Sequence, residues 1–254
     1  MEFATKCLRA GYQPKNGEPG ALPIVQSTTY KYDTTEEVAK LFDLQAAGFF
    51  YSRLANPTVD SVEQKIAALE GGVGAICTSS GQAAAFLSVM NIAQSGDHIV
   101  ACSNLYGGSI NLLAVTLKRF GVEVSFIDES LPNEELSKAF RPNTKAVFSE
   151  TIANPSTRVL DIERIAKLAH DHGVPLIIDN SFATPYLCRP IEYGADIVMH
   201  STSKYIDGHA LSVGGVVVDS GNFDWLAHKD KFPEFAQPCD GSLNLRPMCH
   251  LFVS

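Results

Sequence analysis

Three catalytic signatures are missing from this chain. No Gly-x-Gly-x-x-Gly follows a strand, because Gly71-Gly72-Val73-Gly74 has the wrong spacing and precedes one. Neither Gly-Lys-Ser/Thr nor Gly-x-Ser-x-Gly occurs. These absences disfavour a dinucleotide oxidoreductase, a nucleotide triphosphatase and an α/β-hydrolase in turn. There is no basic tract, and the net charge is −8, which argues against nucleic-acid binding. No apolar run approaches the ~20 residues of a membrane span, and Met-Glu-Phe-Ala-Thr-Lys at the start carries no signal-peptide core. The six cysteines (Cys7, Cys77, Cys102, Cys188, Cys239, Cys249) include no Cys-x-x-Cys. Reduced thiols in a cytoplasmic protein are therefore expected. His170 and His172 lie two apart on a predicted helix and face different ways, so they cannot chelate one ion; no metal site is expected.

What remains is an ordinary enzyme composition, 45% apolar and 19% charged over 254 residues, enough to bury a large core in one domain or two. Residues 1–50 are broken by Pro14, Pro19, Gly20 and Pro23 and read as an arm, with one helix capped at Thr34-Thr35-Glu36-Glu37. Thr58 or Asp60 is expected to cap a helix running to Leu69-Glu70. Strands over 75–77, 98–102, 122–127 and 146–148 then alternate with helices from 81 to about 93, 109–120, 134–139 and 161–173. Further strands follow at 174–178, 195–199 and 212–219. That alternation predicts an α/β fold with a mainly parallel central sheet.

Two apolar runs carry the functional reading. Val174-Pro-Leu-Ile-Ile178 ends in Asp179, and Ala195-Asp-Ile-Val-Met199 leads through His200-Ser-Thr-Ser to Lys204. Short apolar runs with polar flanks suit strands buried on both faces, and ligands of open α/β sheets sit beyond the carboxyl ends of such strands. A carboxylate and an amine on one rim are what pyridoxal phosphate needs: the Asp to hold the ring nitrogen protonated, the Lys to form the imine. A strand-end Asp is also an ordinary turn residue, and a lone Lys an ordinary surface one. Thr78-Ser-Ser-Gly81, at a strand-to-helix turn, is either a phosphate seat or a plain helix cap.

In order, Tyr51-Ser-Arg-Leu-Ala-Asn-Pro-Thr58, Leu69-Glu-Gly-Gly72, Ser79-Ser-Gly-Gln-Ala-Ala84, Leu105-Tyr-Gly-Gly108, Glu150-Thr-Ile-Ala-Asn-Pro155, Asp179-Asn-Ser-Phe-Ala-Thr-Pro185 and His200-Ser-Thr-Ser-Lys204 resemble the Cys/Met-metabolism family of fold-type I pyridoxal phosphate enzymes. Within it the likeness is to enzymes acting on O-acetylhomoserine. The resemblance implies Lys204 as Schiff-base lysine and base, Asp179 as partner of the ring nitrogen, and Tyr106 stacked on the ring. It implies that Gly81 and Gln82 amides and Ser201 and Ser203 hydroxyls hold the phosphate, and that Asn154 lies near the 3-oxygen, with Glu150 beside the site or behind it. Tyr51 and Arg53 resemble phosphate ligands lent by a second copy, which implies a homodimer or a dimer of dimers (a homotetramer). The implied reaction replaces the acetate of O-acetyl-L-homoserine with sulfide or a thiol, as in transsulfuration and methionine biosynthesis. A γ-lyase, a cystathionine γ-synthase and an inactive cofactor-binding fragment are the alternatives.

The domain reading is an arm and dimer-contact segment over 1–60, a cofactor-binding large domain over 61–236, and a tail over 237–254 that matches nothing. Family members continue into a smaller C-terminal domain whose arginine holds the substrate carboxylate. The tail is therefore expected to mark a truncation, and Arg246 is given no such role.

Overall fold

A computed structural model describes residues 1–43 and 45–236; the tail over 237–254, with Cys239, Arg246 and Cys249, lies outside the described residues. Seven strands form one sheet in the order β1-β7-β6-β5-β4-β2-β3. They are β1 Gly74–Thr78, β2 His98–Cys102, β3 Glu123–Ile127, β4 Thr144–Glu150, β5 Leu176–Asp179, β6 Ile197–His200 and β7 Gly215–Asp219. β3, β2, β4, β5 and β6 pair in parallel, as the alternating pattern predicts.

β7 alone runs the other way, antiparallel to both β6 and β1. A parallel partner needs a crossover back across the sheet, usually helical. The stretch between β6 and β7 contains no helix, so the chain turns back beside the strand it has just left. β1 is antiparallel to β7 in turn and so shares the direction of β6. The carboxyl ends of β1, β4, β5 and β6 therefore meet on one rim, together with the loop that returns into β7.

Strands buried on both faces read as continuous apolar runs because alternate side chains enter different cores. In β5, Ile177 packs into one core with Phe148, Met199 and Trp225, while Leu176 and Ile178 pack into the other with Ile165 and Leu168. The helix Gly81–Met90 lies against the first core, and the helices Pro57–Glu70 and Ile162–Asp171 against the second.

Local signals fix several element ends. Thr34 accepts the Glu37 amide and Glu37 reaches back to the Thr34 amide, the predicted capping box. Asp161 caps Ile162–Asp171. The helix Pro57–Glu70 is capped two residues before Thr58 and four before Asp60: Asn56 accepts the Thr58 and Val59 amides. Pro57 accounts for this, since it suits the first helical position and drives the preceding residue into extended backbone. The predicted 109–120 helix is interrupted. It runs Gly107–Asn111, widens into a π-helix over Leu112–Thr116 and closes at Leu117–Arg119.

Residues 1–56 contribute little to either core, Leu41 being the buried apolar residue among those described there. Among the described residues no helix is long and apolar enough to cross a membrane. Cys7, Cys77, Cys102 and Cys188 are free thiols.

Candidate active site

The rim opens into a cleft of about 760 Å³. Asp179, Ser201, Ser203 and Lys204 line it from the ends of β5 and β6 and the loop after β6. Gly81 and Gln82 enter at the start of the helix after β1, and Tyr106, Glu150 and Asn154 close the side nearest β4. Nine of the residues singled out from the sequence thus face a single space. Tyr51 and Arg53 do not line it. Tyr51 pairs through a β-bridge with Thr29, and the Arg53 guanidinium lies 5.0 Å from the centre of the Tyr51 ring.

Asp179 is fixed by a residue the sequence reading passed over. Ser181 donates twice to Asp179 Oδ1, through its hydroxyl at 2.6 Å and its amide at 2.9 Å. The same hydroxyl accepts the Ser201 amide at 2.7 Å. The Asp-x-Ser spacing is a turn signal, in which the aspartate side chain accepts the backbone amide two residues on, and it could have identified Ser181. Burial raises the Asp179 pKa above the ordinary carboxylate range, and the two Ser181 hydrogen bonds oppose the rise. A cation set against this carboxylate would favour its ionised form.

Glu150 sits beside Asp179 in the β4–β5 register. It accepts the Tyr106 amide on Oε1 at 2.7 Å and the Asn154 amide on Oε2 at 3.3 Å. Burial, followed by the Asp179 charge, pushes its pKa to about 7. One carboxyl therefore ties two other cleft residues in place. Tyr106 itself is 49% exposed, which separates it from a core-filling aromatic.

The Gly81 turn is both a cap and a close approach. Ser80 accepts the Ala83 amide, while helix geometry leaves the first-turn amides of Gly81 and Gln82 without intrahelical acceptors. A Cβ added to Gly81 would lie 2.5 Å from Ser201 Cβ, so only glycine lets the helix end press against the β6 loop. Ser203 is engaged elsewhere: its hydroxyl accepts the Gly214 amide at 2.9 Å and lies 3.2 Å from the Gly214 carbonyl.

Pyridoxal phosphate fits this donor set. A positive helix end and a serine hydroxyl meet where glycine alone permits it, which suits a phosphate dianion. A carboxylate suits a protonated ring nitrogen, an exposed tyrosine a ring face, and the Lys204 amine an aldehyde. Among the described residues no group of three or more His, Cys, Asp or Glu side chains could hold a metal ion.

Comparison with known proteins agrees with the geometry. Residues 4–246 match the family model described as Cys/Met metabolism PLP-dependent enzyme, a match that passes Gln237 and enters the stretch outside the described residues. The chain is 47% identical over 243 residues to the homocysteine/cysteine synthase of Kluyveromyces lactis, covering 94% of this chain and 54% of that protein. It is 45% identical over 235 residues to an O-acetyl-L-homoserine sulfhydrylase of Leptospira meyeri, covering 92% and 52%. A crystal structure from Campylobacter jejuni that carries N'-pyridoxyl-lysine-5'-monophosphate superposes with a TM-score of 0.91 at 36% identity, covering 97% of this chain and 60% of that one. The chain spans about half the length of the curated relatives it matches. With the cleft chemistry and a family match over nearly its whole length, the chain belongs to the Cys/Met metabolism family of pyridoxal phosphate-dependent enzymes.

Proposed function

We propose that the protein performs γ-replacement on O-acetyl-L-homoserine. The Cγ–O bond breaks and acetate leaves, a C–S bond forms with sulfide or a thiol, and homocysteine or a homologue results. The observation that carries this reading is the convergence of Lys204, Asp179 and the Gly81–Ser201 contact on one cleft, in a chain whose relatives include a sulfhydrylase of that amino acid.

The cofactor supplies an electron sink for charge developing at Cα and then Cβ of the amino acid. Lys204 holds the cofactor covalently at rest and is the base that moves protons at Cα and Cβ. The Asp179 carboxylate keeps the ring nitrogen protonated, and Ser181 orients it through two hydrogen bonds. Gly81 and Gln82 amides and the Ser201 and Ser203 hydroxyls would take the phosphate. Tyr106 lies along the ring face, and Asn154 serves the 3-oxygen. Tyr51 and Arg53, which stand apart from this chain's cleft, complete the phosphate site of a second copy; a bidentate guanidinium suits a dianion. The working assembly on this reading is a cytoplasmic homodimer or dimer of dimers.

Supplying O-acetyl-L-homoserine and sulfide tests the proposal. Homocysteine and acetate in equal amounts support it. Ammonia and 2-oxobutyrate would instead assign a γ-lyase, and no turnover with bound cofactor would assign a binding role.

A further inference from the structure

Three neighbouring strands end in a cleft residue: Glu150 on β4, Asp179 on β5 and, one residue past β6, Ser201. Beside each stands a residue turned the other way and buried: Thr151, Asn180 and His200. These three belong to one hydrogen-bonded chain. Glu70 Oε1 accepts from His200 Nε2 at 2.6 Å and from Asn180 Nδ2 at 2.9 Å. Asn180 Oδ1 accepts the Thr151 hydroxyl at 2.8 Å, and its Nδ2 also donates to the Cys188 carbonyl at 2.9 Å. Glu70 and His200 are both 0% exposed.

Stability alone is a poor account of this arrangement. Removing a carboxylate from water is expensive, and well-packed apolar residues often hold a core as well or better. Glu70 Oε2 and His200 Nδ1 have no partner among the described residues, so the chain of bonds is not saturated. What it does accomplish is registration. Successive side chains on a strand point to opposite faces, so pinning Asn180 and His200 from below sets Asp179 and Ser201 above. Glu70 closes the helix Pro57–Glu70, which rests on the sheet and gives all three strand ends a common anchor.

We propose that Glu70 is a positioning residue for the cofactor: it holds the anchor of the ring nitrogen and the anchor of the phosphate at a fixed separation, through Asn180 and His200. This rests on the reading of Asp179 and Ser201 as cofactor contacts.

The test is the affinity of the intact protein for pyridoxal phosphate, titrated by absorbance well below the melting temperature of each variant. Glu70→Leu fills the site without an acceptor, and Glu70→Gln retains one. Loss of a buried hydrogen bond on each anchor predicts at least about tenfold weaker binding for Glu70→Leu and no more than about threefold for Glu70→Gln. A merely structural Glu70 would lower the melting temperature and leave affinity where it was; a folded Glu70→Leu protein with the parent's affinity therefore overturns the proposal. Should Glu70→Leu not fold, Asn180→Leu, which keeps a similar side-chain volume and removes the donor that reaches Glu70, carries the same test. A threefold loss of affinity supports the proposal, and unchanged affinity overturns it. A parent protein that takes up no cofactor would overturn the site reading and this inference together, whereas normal uptake by both parent and Glu70→Leu would overturn this inference alone.

Discussion

The Ser181 hydroxyl lies 2.6 Å from Asp179 Oδ1 and at the same time accepts the Ser201 amide. One oxygen thus bridges the residue assigned to the ring nitrogen, at the end of β5, and a residue assigned to the phosphate, just past the end of the adjacent β6. Ser181→Ala cuts that bridge. A hydrogen bond to a carboxylate contributes about 1.5–3 kcal/mol, so cofactor affinity should fall by roughly 10- to 100-fold while the fold persists. Equilibrium titration with pyridoxal phosphate reads this, and an unchanged dissociation constant would remove Ser181 from the site.

Gly81→Ala tests the close approach on the other side of the phosphate seat. The new methyl would stand 2.5 Å from Ser201 Cβ and 2.8 Å from its Cα, so the helix start and the β6 loop must separate. Affinity should drop at least about tenfold, because amides and hydroxyl no longer converge on one anion. Free inorganic phosphate should lose its ability to compete in the same variant. Parental affinity would show that the two elements need not touch.

Glu150 predicts a pH dependence with a definite sign. Its pKa rises from an ordinary 4.5 to about 7 in the fold, so the folded protein holds this proton more tightly than the unfolded chain. The contribution is fully present below the lower value and is lost as pH climbs through about 7, amounting to roughly 3 kcal/mol over the window. Glu150→Gln removes the titration. Urea unfolding of cofactor-free protein should therefore show the parent's advantage over the variant shrinking between about pH 5 and about pH 7.5. Parallel stability curves would contradict the burial of this carboxyl.

Asn56→Ala tests the arm. Asn56 caps the Pro57–Glu70 helix and also donates to the Val25 carbonyl, the Tyr30 hydroxyl and the Ser52 hydroxyl. Losing a cap together with these contacts should cost roughly 2 kcal/mol, a fall of about 5 °C in melting temperature. A melt unchanged within error would mean that the arm is not fastened there.

The two runs ending at Asp179 and leading to Lys204 were legible because strands buried on both faces leave an uninterrupted apolar signature in the sequence. Their exact starts were not: pairing begins at Leu176 and Ile197, two residues later than the apolar pattern, since Val174 and Ala195 are buried without being in the ladder. The reversal of β7 was invisible, because strand composition carries no direction and the absence of a helix in the return loop decided it. Asn56 stands within four residues of two other good capping residues, Thr58 and Asp60, and the sequence alone does not choose among them. Glu150 was placed near the site, but its hold on Tyr106 and Asn154 depends on how separate loops fold onto β4. The Glu70–His200 contact joins residues 130 apart, and nothing local in either segment announces the other. Local chemistry showed in the sequence; the registration of distant segments did not.

The proposed site predicts an imine between Lys204 and pyridoxal phosphate. Borohydride reduction of the intact protein after incubation with the cofactor, followed by peptide mapping, tests it most directly. A phosphopyridoxyl group is expected on the peptide containing Lys204 and absent from Lys204→Ala; a tag on another lysine, or none on a protein that remains folded, would rule this site out.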